Sequence, residues 1–194
     1  MGFIMASAFA LSACSGNAVS TQADYAASPS GASLRDADFE KGYDKVTISG
    51  NELGLPCSYA ELEALGIEDT VDAAALIKSG TPMQDTVTLE DGTSFDVYLA
   101  CPKKEQEGVY KKDSEVISIF ATQSGAASGD FAFYKGITFA STKDDVAGVL
   151  DLMEEEDGNS LYGIKLSSHE YFSVSFAGDA ISDIMVINAK DYFE

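Results

Sequence analysis

The side chains able to do acid–base or nucleophilic chemistry are few and scattered. The single histidine, His169, is followed by Glu170 in a predicted hairpin, where the two could transfer a proton. The Ser- and Gly-rich segment 124–129 lacks the Gly-x-Ser-x-Gly turn of a serine hydrolase, and no second histidine completes a triad. Histidines in turns are usually solvated and idle. We therefore expect a chain without enzymatic activity.

Carboxylates are the one reactive group in surplus. The chain has 32 acidic and 12 basic residues, which give a net charge of −20. The acidic run 151–159 suggests calcium binding but lacks the ligand spacing of an EF-hand loop, so a solvated loop without metal is expected. This charge disfavours nucleic acid and fits either solubility outside the cell or a basic partner. No cofactor is expected.

Two cysteines lie in the predicted folded part. Cys57 precedes a predicted helix and Cys101 ends a predicted strand. In an exported protein the two could form one disulfide, and the alternative is a pair of buried free thiols. With one distant histidine they make neither a zinc site nor a convincing Cys/His catalytic pair.

Partner contacts are suggested by lysines and by aromatic side chains. Lys111 and Lys112, with the nearby pair 103–104, form the only basic cluster and could contact an acidic partner, or be a solvated hairpin tip of mixed charge. Tyr171 and Phe172 are adjacent in a predicted strand, so one ring lies on each face of the sheet. One ring is expected in the core, and the other contacts a partner unless helices or the other half of the chain cover it.

The N-terminal sequence predicts where in the cell the protein is located. Residues 3–11 are apolar, long enough for the core of a signal peptide and too short to span a bilayer. The following Leu11-Ser12-Ala13-Cys14 resembles the lipobox of bacterial lipoproteins, which implies lipidation of Cys14 and an extracytoplasmic, membrane-anchored chain. Since Met1-Gly2-Phe3 has no basic residue, we expect the natural start to lie upstream of Met1.

The remaining elements predict an internal repeat of roughly 80 residues. Capping-box patterns at Ser58–Glu61 and Thr142–Asp145 each begin a helix that three predicted strands follow. The predicted fold class is α+β, with two tandem helix-plus-antiparallel-sheet modules. The expected division is a signal peptide at 1–13, a flexible tether at 14–40, a first module at 41–122, a linker at 123–130 and a second module at 131–194.

Two segments resemble known families. Residues 55–66, LPCSYAELEALG, resemble the LPC-x-Y-x-x-L-x-x-L-G stretch of uncharacterised bacterial lipoproteins. Residues 135–146, KGITFASTKDDV, are similar to the opening of small helix-then-sheet modules, as in the β-lactamase inhibitor protein and the SmpA/OmlA-type outer-membrane assembly lipoproteins. The resemblance implies a β-lactamase-inhibitor-like fold and a non-catalytic binding or scaffolding role.

The expected function is therefore that of a cell-envelope lipoprotein that binds an envelope or extracellular protein without catalysis. Two alternatives stay open. An envelope hydrolase using carboxylates would need two acids facing each other across a cleft. A small-molecule-binding lipoprotein would need a large apolar cavity.

Overall fold

The structure is a computed structural model that describes residues 42–68, 74–102, 105, 107–126 and 130–192. Strands make up 51% and helices 14% of the described residues. The predicted signal peptide, Cys14 and the tether lie outside them. In these ranges no helix has the length and apolarity needed to cross a membrane.

The described elements are mainly short antiparallel strands. There are two described α-helices, α1 (Tyr59–Glu63) and α2 (Lys143–Ala147). Short 3-10 helices also occur at Lys111–Asp113, Tyr134–Gly136 and Lys190–Tyr192. The strands are β1 (Lys45–Ile48), β2 (Asn51–Gly54), β3 (Cys57–Ser58), β4 (Ile67–Glu68), β5 (Leu76–Ile77), β6 (Met83–Leu89), β7 (Ser94–Ala100), β8 (Val109–Tyr110), β9 (Glu115–Thr122), β10 (Phe131–Ala132), β11 (Asp151–Glu156), β12 (Asn159–Ser167), β13 (Glu170–Ala177) and β14 (Ala180–Asn188).

The predicted α+β class, with tandem helix-plus-sheet modules, is wrong, because the chain is a β-rich fold. Both predicted capping boxes form, with Ser58 and Thr142 accepting from the backbone three residues ahead. Each helix nevertheless ends after five residues. Glycines at the helix ends, Gly66 with φ +78° and the cap residue Gly148, favour this early stop. The helices are too short to form a layer.

One sheet of nine strands crosses both halves of the sequence. Its order is β4-β6-β7-β9-β14-β13-β12-β11, with β3 pairing beside β9. The central pair joins β9 of the first half to β14 of the second, with Ile119 opposite Val186 and Ala121 opposite Ile184. Reading outward from this pair, each half contributes four strands to this order, and β3 of the first half is the ninth strand. The predicted linker at 123–130 therefore separates two halves of a continuous sheet, and its residues 127–129 lie outside the described ranges.

The main core lies on one face of this sheet. A second, three-stranded sheet of order β10-β1-β2 and both helices supply its other side. Phe131 on β10 packs edge-on against Phe95 with ring centres 5.4 Å apart, and stacks on Phe133 at 5.7 Å. Phe133 lies 6.3 Å from Phe172. These rings therefore connect strands of both halves within one continuous apolar cluster.

Several predicted local structures differ from those observed. Most predicted strands are confirmed. The sequence pattern of residues 72–78 predicts a further, weaker helix, which is wrong where the segment is described, since Leu76–Ile77 form a strand that pairs with β8. The acidic run expected as a loop forms the edge strand β11 over Asp151–Glu156. An edge strand tolerates these charges because its side chains reach water, and charged edges discourage strand pairing between molecules.

A buried ion pair links β6 to the first 3-10 helix and to α1. Lys111 Nζ lies 2.7 Å from Asp85 Oδ2, and both side chains are almost completely buried. The ammonium also lies 4.9 Å from the centre of the Tyr59 ring. Lys111 is therefore part of the interior, which contradicts its prediction as a surface residue of a basic cluster.

Lys111→Met should lower the free energy of unfolding by about 3–5 kcal/mol, because it leaves the Asp85 carboxylate buried without its cation. Urea denaturation measures this loss. Lys112→Met, at an exposed neighbouring position, is the matched control and should change stability by less than about 0.5 kcal/mol. The double variant Asp85→Val/Lys111→Met should recover most of the loss. Equal effects of the two single lysine variants would contradict the buried ion pair.

Candidate functional site

The face of the nine-stranded sheet opposite the main core, called the second face below, presents three cross-strand rows. On β13, Phe172 and Val174 enter the main core, so the alternating residues lie on the second face. The register gives a middle row of residues that lie side by side across the strands: Gly163, Ser173, Met185, Phe120, Asp96 and Thr86. The row on one side of it is Lys165, Tyr171, Ile187, Ser118, Tyr98 and Gln84. The row on the other side is Leu161, Ser175, Asp183 and Thr122.

An apolar strip crosses the middle of the second face. It consists of Phe120, Met185 and Tyr171, which are all partly exposed. Phe120 on β9 lies directly opposite Met185 on β14. The Tyr171 hydroxyl donates a hydrogen bond to the Met185 sulfur at 3.0 Å. The strip thus presents aromatic and thioether groups on the second face.

Two carboxylates flank this strip, and neutral side chains hold both. Asp96, opposite Phe120, accepts from Thr86 Oγ1 at 2.6 Å and from Gln84 Nε2 at 3.1 Å. Asp183 accepts from Ser175 Oγ at 2.7 Å and from Ser182 Oγ at 2.8 Å. Both aspartates are partly exposed.

A small satellite core closes one end of the second face. Its buried members are Tyr98, Ala100, Ile117, Ile187 and Ala189. The C-terminal 3-10 helix adds Tyr192, whose hydroxyl hydrogen-bonds to the Glu115 carboxylate. Burial raises the pKa of Tyr98 and of Tyr171 above the ordinary value of a phenol. The apolar strip is therefore supported by a packed base.

The adjacent aromatic pair singled out in the sequence lies on opposite faces, as the alternation predicts. Phe172 is completely buried in the main core, so it cannot contact a partner. Tyr171 lies in the apolar strip of the second face. Of the two aromatic residues predicted to contact a partner, Tyr171 thus lies on the second face and Phe172 is a core residue.

The predicted basic cluster does not assemble at the surface. Lys111 is buried against Asp85, whereas Lys112 is exposed in the same 3-10 helix. The pair at 103–104 lies outside the described residues. Lys112 alone therefore remains as an exposed, described member of the cluster.

The two cysteines are free and buried, so the disulfide is not formed. Cys57 pairs with Val116 from one side of β9, and Leu99 pairs with the same residue from the other side. Two strand spacings, about 10 Å, thus separate the strands that carry the cysteines, more than the roughly 7 Å that a disulfide spans. Burial, then Glu61 and Glu115, raises the pKa of Cys57 to about 12. Burial also raises the pKa of Cys101.

The other candidate reactive groups do not converge on a cleft. His169 lies in the β12–β13 turn, with Nδ1 3.2 Å from Ser168 Oγ, and Glu170 contacts Ser167 at 3.2 Å. A cleft of about 290 Å³ lies beside the three-stranded sheet, lined by Gly42, Lys45, Thr47, Glu52, Ala132, Phe133, Tyr134 and Lys135. Its carboxylate, Glu52, already pairs with Lys45 at 2.7 Å. Within the described ranges no three His, Cys, Asp or Glu side chains are grouped to hold a metal.

Four residues of the second face escaped prediction from sequence: Asp96, Phe120, Asp183 and Met185. Each follows the alternation of its own strand, and that alternation could have assigned its face. Their grouping depends on the pairing of β9 with β7 and β14, which no local pattern encodes.

Phe172→Ser and Tyr171→Ser should differ in their effect on stability. The first opens a cavity in the main core and should lower the free energy of unfolding by about 3–5 kcal/mol. The second removes a partly exposed ring and should cost about 1–2 kcal/mol. Urea denaturation compares them, and losses of equal size would contradict the assignment of Tyr171 to an accessible face.

Cys57 should resist alkylation in the folded chain. An ordinary thiol, with a pKa near 8.5, reacts faster as the pH rises through that value. Because the Cys57 pKa is raised to about 12, we expect no such rise in a Cys14→Ser background. Iodoacetamide labelling read by mass spectrometry measures it, and both buried cysteines should label in urea without reductant. Failure to label there would indicate a disulfide.

Searches of protein-family models, curated proteins and solved structures find no match to the chain. Inferences about function therefore depend on the structure of the chain itself. In that structure the second face is the described surface that combines a broad sheet platform, accessible aromatic side chains and fixed carboxylates.

Proposed function

We propose that this chain is a non-catalytic, protein-binding lipoprotein of the bacterial cell envelope. The observation that carries the binding role is the apolar strip on the second face, where Phe120, Met185 and Tyr171 stay partly exposed. The two aromatic side chains provide contact area with little loss of rotamer freedom, and the methionine adds apolar surface that can adapt its shape. The envelope location rests on the Leu11–Cys14 sequence, with Cys14 as the lipidated residue.

The arrangement of the strip supports recognition of a protein. Its side chains come from three adjacent strands, β9, β14 and β13, and are fixed by the sheet and by the satellite core. A preorganised platform binds without first paying to order its loops. A partner would cover the strip and place its polar groups against the surrounding hydroxyls and carboxylates, which gives the apolar centre and polar rim of a protein interface.

A photo-crosslinking amino acid placed at Phe120 should capture the partner in intact cells, because position 120 lies within the strip, directly opposite Met185. Tyr110, 54% exposed on the β5–β8 ribbon, provides the matched control position. We expect an adduct at position 120 whose partner is the same in repeated experiments and is missing from position 110. Mass spectrometry of the adducts reads both. Equal labelling at both positions, or no adduct at 120, would contradict binding through the second face.

A further inference from the structure

We infer that the second face recognises a cationic segment of its partner, rich in arginine or lysine. The inference rests on the proposed function, since it names the chemistry of the partner at the same face. Asp96 lies directly across from Phe120, and Asp183 lies one row from Met185 along β14, so both carboxylates border the Phe120–Met185 pair.

The charge of these two carboxylates is not compensated within the described part of the face. Their donors there are hydroxyls and an amide, which orient the oxygens but bring no positive charge. Lys165, the one basic residue in the three described rows, lies two strands and two rows away from Asp183. Each carboxylate can accept further hydrogen bonds besides those it makes. A guanidinium or ammonium group would supply both the charge and the donors.

Phe120 adds a second mode of cation recognition. A cation above an aromatic ring is attracted by the negative face of the ring, and arginine does this most often. Asp96 sits directly across from Phe120, within the reach of cross-strand pairs. One guanidinium could therefore stack on the ring while it donates to Asp96.

The spacing of the two aspartates fits an extended chain. They lie two strands and one row apart, which is about 12 Å from the usual strand spacing and residue rise. In an extended segment, basic residues four positions apart are separated by about 13 Å and point the same way. Such a segment could engage both carboxylates across the apolar strip.

Charge also decides against other occupants. The chain carries a net charge of −20, so nucleic acid and anionic lipid are repelled from a face that adds further carboxylates. A second copy would bring the same carboxylates against Asp96 and Asp183, and the like charges would oppose the contact. A basic polypeptide is the occupant whose charge complements the face.

Binding of an oligoarginine peptide to the full chain tests the inference. Asp96→Asn/Asp183→Asn should weaken binding about tenfold, because two charge-assisted contacts are lost. Glu63→Gln/Glu90→Gln removes the same charge from exposed positions on α1 and in the β6–β7 turn, and should change the dissociation constant less than twofold. Isothermal titration calorimetry measures both, and thermal melting checks that each variant is folded. Equal weakening would overturn the inference, since binding would then follow net charge alone.

Phe120→Leu provides a test that leaves both carboxylates in place. It keeps an apolar side chain but removes the ring, so oligoarginine binding should weaken about threefold. Unchanged binding would contradict a contribution of the Phe120 ring to cation recognition.

Crosslinking from position 120 separates this inference from the proposed function. An adduct that persists in the Asp96→Asn/Asp183→Asn background means that the second face binds a partner without recognising cations. That result would overturn this inference and leave the proposed function standing.

Discussion

The antiparallel pairing of β9 with β14 is the constraint on which the rest of the molecule depends. It joins the last strand of each half, so that four strands on either side share one sheet. Side chains alternate with a period of two, and a slip of one residue in this pair would turn the side chains of one strand to the opposite face. If β14 slipped against β9, Val186 would leave the main core and Met185 would enter it. The register is thus fixed by burial on one side, and the composition of the second face follows from it.

The two faces of the sheet meet different requirements. On the main-core face the three-stranded sheet and the short helices cover the apolar residues, and the Asp85–Lys111 pair brings charge into that interior. A buried pair of this kind contributes little net stability but tolerates few alternative arrangements, because either partner alone is costly. On the second face the satellite core covers one end only, and hydrogen-bonded hydroxyls and carboxylates surround the apolar strip.

Local patterns predicted the strands and both helix starts, because alternation, capping boxes and turn glycines act over a few residues. They failed where long-range pairing decides. Leu76 and Ile77 became a strand because β8 is available to pair with them, and Lys111 became an interior residue because Asp85 lies on the core side of β6. For Cys57 and Cys101 the sequence left a disulfide and two buried free thiols both open, and the sheet order decides for free thiols because β9 lies between their strands. The second face was only partly predictable: Tyr171 follows from its strand, whereas its neighbours Met185, Phe120 and Asp96 follow from the sheet order.

The hydrogen bonds to Asp96 and Asp183 determine how these two carboxylates are presented on the second face. Lysines in their place as donors would neutralise the carboxylates and leave a partner little to gain. Thr86, Gln84, Ser175 and Ser182 instead fix the oxygens while preserving the charge. A cation then finds acceptors already oriented, so less side-chain entropy is lost when it binds. Together with the rings of the apolar strip, these hydrogen bonds give the second face a fixed shape and leave its two carboxylates without a counter-charge. A basic partner could fit that shape and supply the positive charge.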